Sequence, residues 1–461
     1  MARTLFVTGK LAAPALRTTR EAMAPGFAYD VAVMRITVAA LMTTAWIAKH
    51  LPPLDGVERI LIPGLCEGDV RVLEDRAGVR VEKGPADLRD LPEYFGQAAL
   101  REEYGGYDIR IFAEINNVPY LDREEVLRLA EYYRASGADV IDLGCSLDRK
   151  FDDAGEVIGL LKRRGMAVSI DTFDTGEILA ADRAGVDYLL SVNAANLDVA
   201  EALHCTVVVI PDFGQGLDTL DRNIAHLERI GRPYIVDPVI EPINFGFAVA
   251  LDRYVQVRAR HPDAEMLMGI GNITELTDAD TTGVNALLIG FCQELGIRHV
   301  LTTEVIAWAR GAVREVDVAR RLMYAARRRG VVPKKIDDRL LTVKDARPKY
   351  ATEAELRALQ AAITDPNFRI YTTRESICVF NHRLFVQGTD IQALFDQLGV
   401  EDPGHAFYLG KELMKARLAL LLGKTYVQEQ PLRWGYLTPP AADESRHGRV
   451  KLEGPRRGRP T

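Results

Sequence analysis

Cysteine and histidine are scarce in this chain. Its 461 residues include only five cysteines, Cys66, Cys145, Cys205, Cys292 and Cys378, far apart and odd in number. No pair has metal-ligand spacing, and so sparse a set excludes a disulfide framework in so large a chain. A reducing, cytoplasmic location is expected. The eight histidines are scattered, so neither a Cys/His metal cluster nor a Ser–His–Asp arrangement is visible. Long apolar runs are missing too. The longest, 36–48, is interrupted by Thr37, Thr43 and Thr44. It is too short to span a bilayer and is expected to be a packed helix away from any membrane. The opening residues, Met1 to Thr8, read as a strand rather than a signal peptide. Excess positive charge is absent as well: the net charge of −7 argues against nucleic-acid binding as the main role.

What is present is ordinary globular material. The chain is 48% hydrophobic and 27% charged, enough apolar residues for a full core. Its length predicts two to four domains. Residues 1–97 alternate short apolar runs (Leu5-Phe6-Val7, Val31-Ala32-Val33, Ile60-Leu61-Ile62) with helical stretches, as a small Rossmann-like α/β domain does. There the turn Pro63-Gly64-Leu65-Cys66-Glu67-Gly68-Asp69 is either a binding turn or plain turn chemistry. Lysines 334 and 335 and Arg347-Pro348-Lys349 mark a linker. Residues 350–435 read as an α+β domain, with strands at 368–371, 377–380 and 384–387 and a helix over 405–422. Residues 440–461 form a basic tail rich in Gly and Pro and are expected to be disordered.

The region 107–328 is the informative one. Eight short strands are predicted at 109–115, 140–143, 167–170, 188–192, 206–210, 234–236, 266–270 and 299–301, and most gaps carry a helical pattern. In the first gap Asp122 is a helix cap with Glu125 as its capping-box partner, and Gly137 ends the helix. Between the fourth and fifth strands only a short helix, 198–203, fits. Eight β-then-α units match a (β/α)8 TIM barrel better than an open sheet. In such barrels the chemistry sits at the C-terminal ends of the strands. Those ends carry Glu114 and Asn116, Asp142, Asp171, Asn193, Asp212, Asp237, Asn272 and Glu304. One Asp or Asn after a strand is usually a turn-former or cap. Several on one rim suit a neutral heterocycle with many donors and acceptors. A carboxylate accepts two parallel N–H bonds, as from a 2-amino-pyrimidinone edge, and an Asn amide both donates and accepts.

At these residues the sequence resembles the pterin-binding enzyme superfamily, the dihydropteroate synthases and the methyltetrahydrofolate:corrinoid methyltransferases. Four segments carry the likeness: Gly137-Ala-Asp-Val-Ile-Asp-Leu-Gly144, Ser169-Ile-Asp-Thr172, Ser191-Val-Asn193 and Val236-Asp-Pro-Val-Ile240. The resemblance implies that Asp171, Asn193, Asp237, Asp142 and Asn272 bind a pterin. At the seventh strand, synthases usually carry Ser-Arg-Lys. This chain has Gly269-Ile-Gly-Asn-Ile273, which looks more like the methyltransferases, where the Asn acts near the pterin N5. The Arg-x-His that synthases carry after the eighth strand is replaced by Leu301-Thr-Thr-Glu304. Ile115-Asn116 instead resembles the synthases' Asn near metal and diphosphate, which implies Mg2+ held in part by Asn116 and a catalytic role for Asn116 and Asn272. The layout also resembles the dihydropteroate synthase-related proteins of organisms using tetrahydromethanopterin, with Ile62 to Asp69 and His405 to Leu413 as markers of the flanking domains.

Three functions stay open. The first is condensation of a dihydropterin methyl diphosphate with an arylamine, with Arg149 and Lys150 as candidate cations for the leaving group. The second is methyl or one-carbon transfer from a reduced pterin to a separate acceptor. The third is a non-catalytic carrier or assembly subunit, in which the flanking domains meet a protein partner. A homodimer is expected.

Overall fold

The computed structural model describes residues 3–23, 25–85, 88–96 and 104–438. The tail expected over 440–461 lies outside them. The chain forms two compact units, 1–337 and 338–461.

The first unit begins with a parallel sheet of β1 (Arg3–Thr8), β2 (Ala28–Val33), β3 (Val57–Ile62) and β4 (Arg80–Lys83), in the order β2-β1-β3-β4. Strand alternation decides which side chain faces which layer. Leu5, Val7, Ile60 and Ile62 pack with Met42, Ile47 and Leu73. Phe6 and Leu61 point the other way and pack with Leu16, Met23 and Leu91. Both faces are covered, as expected for a parallel sheet. The run 36–48 is not the single helix its sequence suggested. It holds a 3-10 turn, Ala39–Leu41, and then the start of a helix, Thr44–His50. Thr43 divides them, because its hydroxyl accepts the Trp46 N–H at 3.2 Å and holds Thr43 extended as the helix cap.

The barrel follows: β5 (Arg110–Ile115), β6 (Val140–Gly144), β7 (Ala167–Asp171), β8 (Tyr188–Val192), β9 (Thr206–Val209), β10 (Tyr234–Val236), β11 (Leu267–Gly269) and β12 (His299–Thr303). All neighbours are parallel, in the order β10-β9-β8-β7-β6-β5-β12-β11. The bridge between Val236 and Met266 closes the circle, with Val236 N–H donating to the Glu265 carbonyl at 2.8 Å. Phe112, Val140, Leu190, Val208, Ile235 and Leu267 fill the middle of the barrel. The helix Arg123–Ser136 starts where the Asp122 carboxylate accepts the Glu125 N–H at 2.8 Å and stops at Gly137, whose φ is 112°. A Cβ there would come 2.6 Å from Asp317 Cγ, so glycine is needed for conformation and space alike. Between β8 and β9 the connection is a 3-10 helix, Leu197–Ala202. Among the described residues no helix is long and apolar enough to cross a membrane.

The second unit is α+β. Strands β13 (Arg369–Thr372), β14 (Ile377–Phe380) and β15 (Phe385–Gly388) form an antiparallel meander. The helix Pro403–Leu422, capped by Asp402, lays Leu409, Leu413 and Ala416 on it.

Candidate functional site

Alternation along the barrel strands sets the inner face. Phe112 points inward, so Glu114 does as well. Register then aligns Glu114 with Asp142, and Asp142 with Ser169. Two residues above Ser169, Asp171 lies beside Gly144. This row, above the apolar middle layer, is the floor of the mouth at the C-terminal ends of the strands. Asp142 is wholly buried. Its Oδ1 accepts the Ser169 hydroxyl at 2.5 Å, and its Oδ2 has no partner. One carboxylate oxygen from each of Glu114, Asp142 and Asp171 lies within 4.8 Å of the other two. A Cβ on Gly144 would sit 2.5 Å from Glu114 Oε1, so glycine there leaves room for that carboxylate.

So much negative charge in a desolvated place suppresses ionisation. Burial, then Asp171 and Glu275, push the Glu114 carboxyl up to about 8. Burial, then Asp171 and Glu114, hold Asp142 well above the usual carboxylate range. Burial, then Asp237, lift Asp171 to about 6. Asp237 is also lifted to about 6 by burial, against the opposing pull of Tyr254, the Val239 N–H and Arg253. Raised carboxyl values favour the protonated folded state, so the unfolded chain ionises first as pH rises. The stability they provide is full below the ordinary carboxylate range and is lost as pH rises through about 6 and then 8. The melting temperature in a chelating buffer should therefore fall between pH 5 and pH 8, and Glu114→Gln should flatten the upper half of that fall. An unchanged slope in the variant would refute this reading of Glu114.

The other expected residues are placed as follows. Asn193 is buried, and its Oδ1 accepts the Ala195 N–H at 3.0 Å, which leaves its Nδ2 to donate. Asp237 uses Oδ1 for both the Val239 N–H (2.8 Å) and the Tyr254 hydroxyl (2.6 Å), leaving Oδ2. Asn272 sits in a one-turn helix, Gly271–Thr274, and its Nδ2 donates to the Ile240 carbonyl at 3.0 Å, three residues beyond Asp237. Asn116 accepts the Thr303 hydroxyl on Oδ1 at 2.7 Å. Two rim carboxylates hold loops instead. Asp212 takes the Ala194 N–H and the Asn223 amide; Glu304 takes the Val313 N–H and the Tyr132 hydroxyl. The Arg149 guanidinium lies over the Tyr120 ring at 4.9 Å, and Lys150 is exposed. Exposed apolar side chains crown the loops: Leu147, Phe173, Phe213 and Phe245, with the Phe173 and Phe213 rings 5.6 Å apart.

Sequence reasoning set Glu114 at the rim but did not select it as a site residue, although its parity with Phe112 is a usable signal. It passed over Ser169 and Tyr254; Tyr254 reaches Asp237 from the helix Phe247–Arg260, and no local pattern marks it. The Pro63-Gly64 turn lines a separate apolar cavity of about 160 Å³ at the C-terminal edge of β1 and β3, with Phe6, Leu61, Leu88 and Leu91.

Comparison with known proteins gives partial matches. Residues 2–86 match a family of unknown function, DUF6513, and residues 365–429 match the family PterinBD-DUF4346. The chain is 28% identical to an uncharacterized protein of Methanocaldococcus jannaschii, over 92% of this chain and 98% of that one. Among solved structures it is similar to a dihydropteroate synthase in complex with pteroic acid from Coxiella burnetii, at 19% identity and a TM-score of 0.40, over 48% of this chain and 94% of that one. It is also similar to the 7,8-dihydropteroate synthase from Vibrio fischeri, at 17% identity and a TM-score of 0.39, over 48% of this chain and 93% of that one.

Proposed function

We propose that the barrel mouth binds a pterin and that the protein is a transferase acting on it. The observation that carries this reading is Asp171. Its carboxylate has no hydrogen-bond partner from the described residues, and it shares the mouth with a free Asp237 oxygen, close enough to raise its ionisation range, and with the resemblance-implied Asn193 donor. At neutral pH Asp171 and Asp237 are mainly ionised acceptors, suited to the paired N–H groups of a 2-amino-pyrimidinone edge.

The reaction we propose is condensation of a dihydropterin methyl diphosphate with an arylamine, in the making of a tetrahydromethanopterin-type cofactor. The diphosphate needs positive charge as it leaves. In this chain Arg149 and Lys150, on the loop after β6, are the basic side chains for that role, and Mg2+ near Asn116 would add to it. One observation favours a second reading, one-carbon transfer from a reduced pterin. Among the described residues, no lysine or arginine draws down the ionisation of Glu114, Asp142 or Asp171. Asn272 follows β11, with its Nδ2 held by the Ile240 carbonyl and its Oδ1 left to accept a hydrogen bond from a bound ring.

Titration calorimetry of the purified protein with dihydropterin methyl diphosphate and with methyl-tetrahydromethanopterin tests both. Binding of either supports the pterin reading; silence with both sinks it. Diphosphate release on adding an arylamine selects condensation, and methyl loss selects transfer.

A further inference from the structure

The floor of the mouth has the makings of a cation seat distinct from Asn116. Three carboxylates from adjacent strands, Glu114 on β5, Asp142 on β6 and Asp171 on β7, bring one oxygen each within 4.8 Å of the others. Oxygens that share one ion at metal–oxygen distances of about 2.0–2.6 Å lie within about 4–5 Å of each other. The second observation is the wholly buried Asp142, whose Oδ2 has no donor although its Oδ1 is held by Ser169. A buried carboxylate oxygen without a partner is costly unless something positive meets it. The third is Gly144, where any Cβ would occupy the space against Glu114 Oε1. Asn116 is the poorer anchor, since its Oδ1 already accepts from Thr303.

We infer that Glu114, Asp142 and Asp171 form a binding site for one hard divalent cation, of the Mg2+, Mn2+ or Ca2+ class, at the floor of the barrel. All the donors are oxygens, which selects hard ions over soft ones. Ser169 fixes the Asp142 carboxylate so that its other oxygen faces the ion. The site shares the mouth with the pterin reading but does not require it.

Mn2+ alone is the probe. Full-length protein stripped with chelator is titrated with Mn2+, and the signal of free Mn2+ is followed by electron paramagnetic resonance. One tight Mn2+ per chain is expected, together with a rise in melting temperature. Glu114→Gln and Asp142→Asn should each weaken binding by at least about tenfold, the scale on which metal sites respond to changes around them. In chelator at neutral pH Glu114→Gln should melt no lower than the parent, because the amide replaces a carboxyl that burial and its acidic neighbours already hold largely uncharged, so lost binding would not be lost folding. Anomalous scattering from Mn2+-soaked crystals gives an independent check and should place the ion between the three carboxylates. The proposal fails if the folded parent takes up no Mn2+, if both variants bind as the parent does, or if the ion lies elsewhere; the cluster then only shares protons. Titration with 7,8-dihydropterin in chelator separates the two readings: pterin binding without Mn2+ binding overturns the cation site alone, and the reverse overturns the pterin site alone.

Discussion

In a titration with 7,8-dihydropterin, Asp171→Ala protein should bind more weakly than the parent by roughly two to four orders of magnitude. The variant loses two hydrogen bonds to a charged acceptor, each worth about 1.5–3 kcal/mol, and each 1.4 kcal/mol is about tenfold in affinity. Asp171 is the cleanest residue for this test. Its side chain has no hydrogen bond to keep among the described residues, whereas Asp237 also accepts from Val239 and Tyr254, so truncating Asp237 mixes lost ligand contacts with lost structure. Asp171 is also held against its neighbours' charge. Removing it should leave the melting temperature at pH 8 equal or higher. A variant that is as stable as the parent yet does not bind is the pattern of a residue retained for function at a cost in stability. Unchanged affinity in Asp171→Ala would remove the site assignment.

At the opposite end of the barrel, Arg320→Met should cost about 3–5 kcal/mol, the usual result of breaking a buried ion pair from one side. Arg320 is 1% exposed. Its guanidinium donates to the carbonyls of Ile109 (2.6 Å) and Gly137 (2.8 Å) and to Asp139 and Asp317, and it lies 3.5 Å over the Tyr107 ring. These groups sit where β5 and β6 begin, so one side chain of the final barrel helix, Ala312–Arg329, ties that helix to the first two strands. Methionine fills much of the volume but leaves Asp139 without its buried cation and two carbonyls without donors. The melting temperature should fall by roughly 10 °C. Arg320→Lys should recover only part of this, because one ammonium cannot span a fork of four acceptors. Conservation of function at the far, C-terminal mouth is expected, so ligand affinity should stay near the parent value at temperatures where the variant is folded. A loss below about 1 kcal/mol by urea unfolding would show that the clamp is ornamental.

Much of the barrel was legible because its strands are short apolar runs with turns between them. The predicted strands at 188–192 and 234–236 coincide with β8 and β10. The others differ by a few residues at most, chiefly where polar strand ends such as Gly144, Asp171 and Thr303 still pair with a neighbour. Strand β4 was not predicted, because Arg-Val-Glu-Lys carries a single apolar residue and only pairing with β3 makes it a strand. The helices Glu353–Ala362 and Ile391–Asp396 were likewise passed over, the first despite a capping box of Thr352 with Glu355.

The sequence by itself determined the period-two rows, the caps and glycine stops, and hence the strand ends that carry Asp142, Asp171, Asn193 and Asp237. Those are local properties, set by side-chain alternation and by backbone donors within a few residues. Only the tertiary structure decided which of them act together. Register across three strands put Glu114 beside Asp142 and Asp171 and left one buried oxygen of Asp142 without a donor. The same folding turned Asp212 and Glu304 into loop anchors and brought Tyr254 onto Asp237 from a helix seventeen positions away. Burial and charge depend on distances through space, and these are fixed only when the barrel closes.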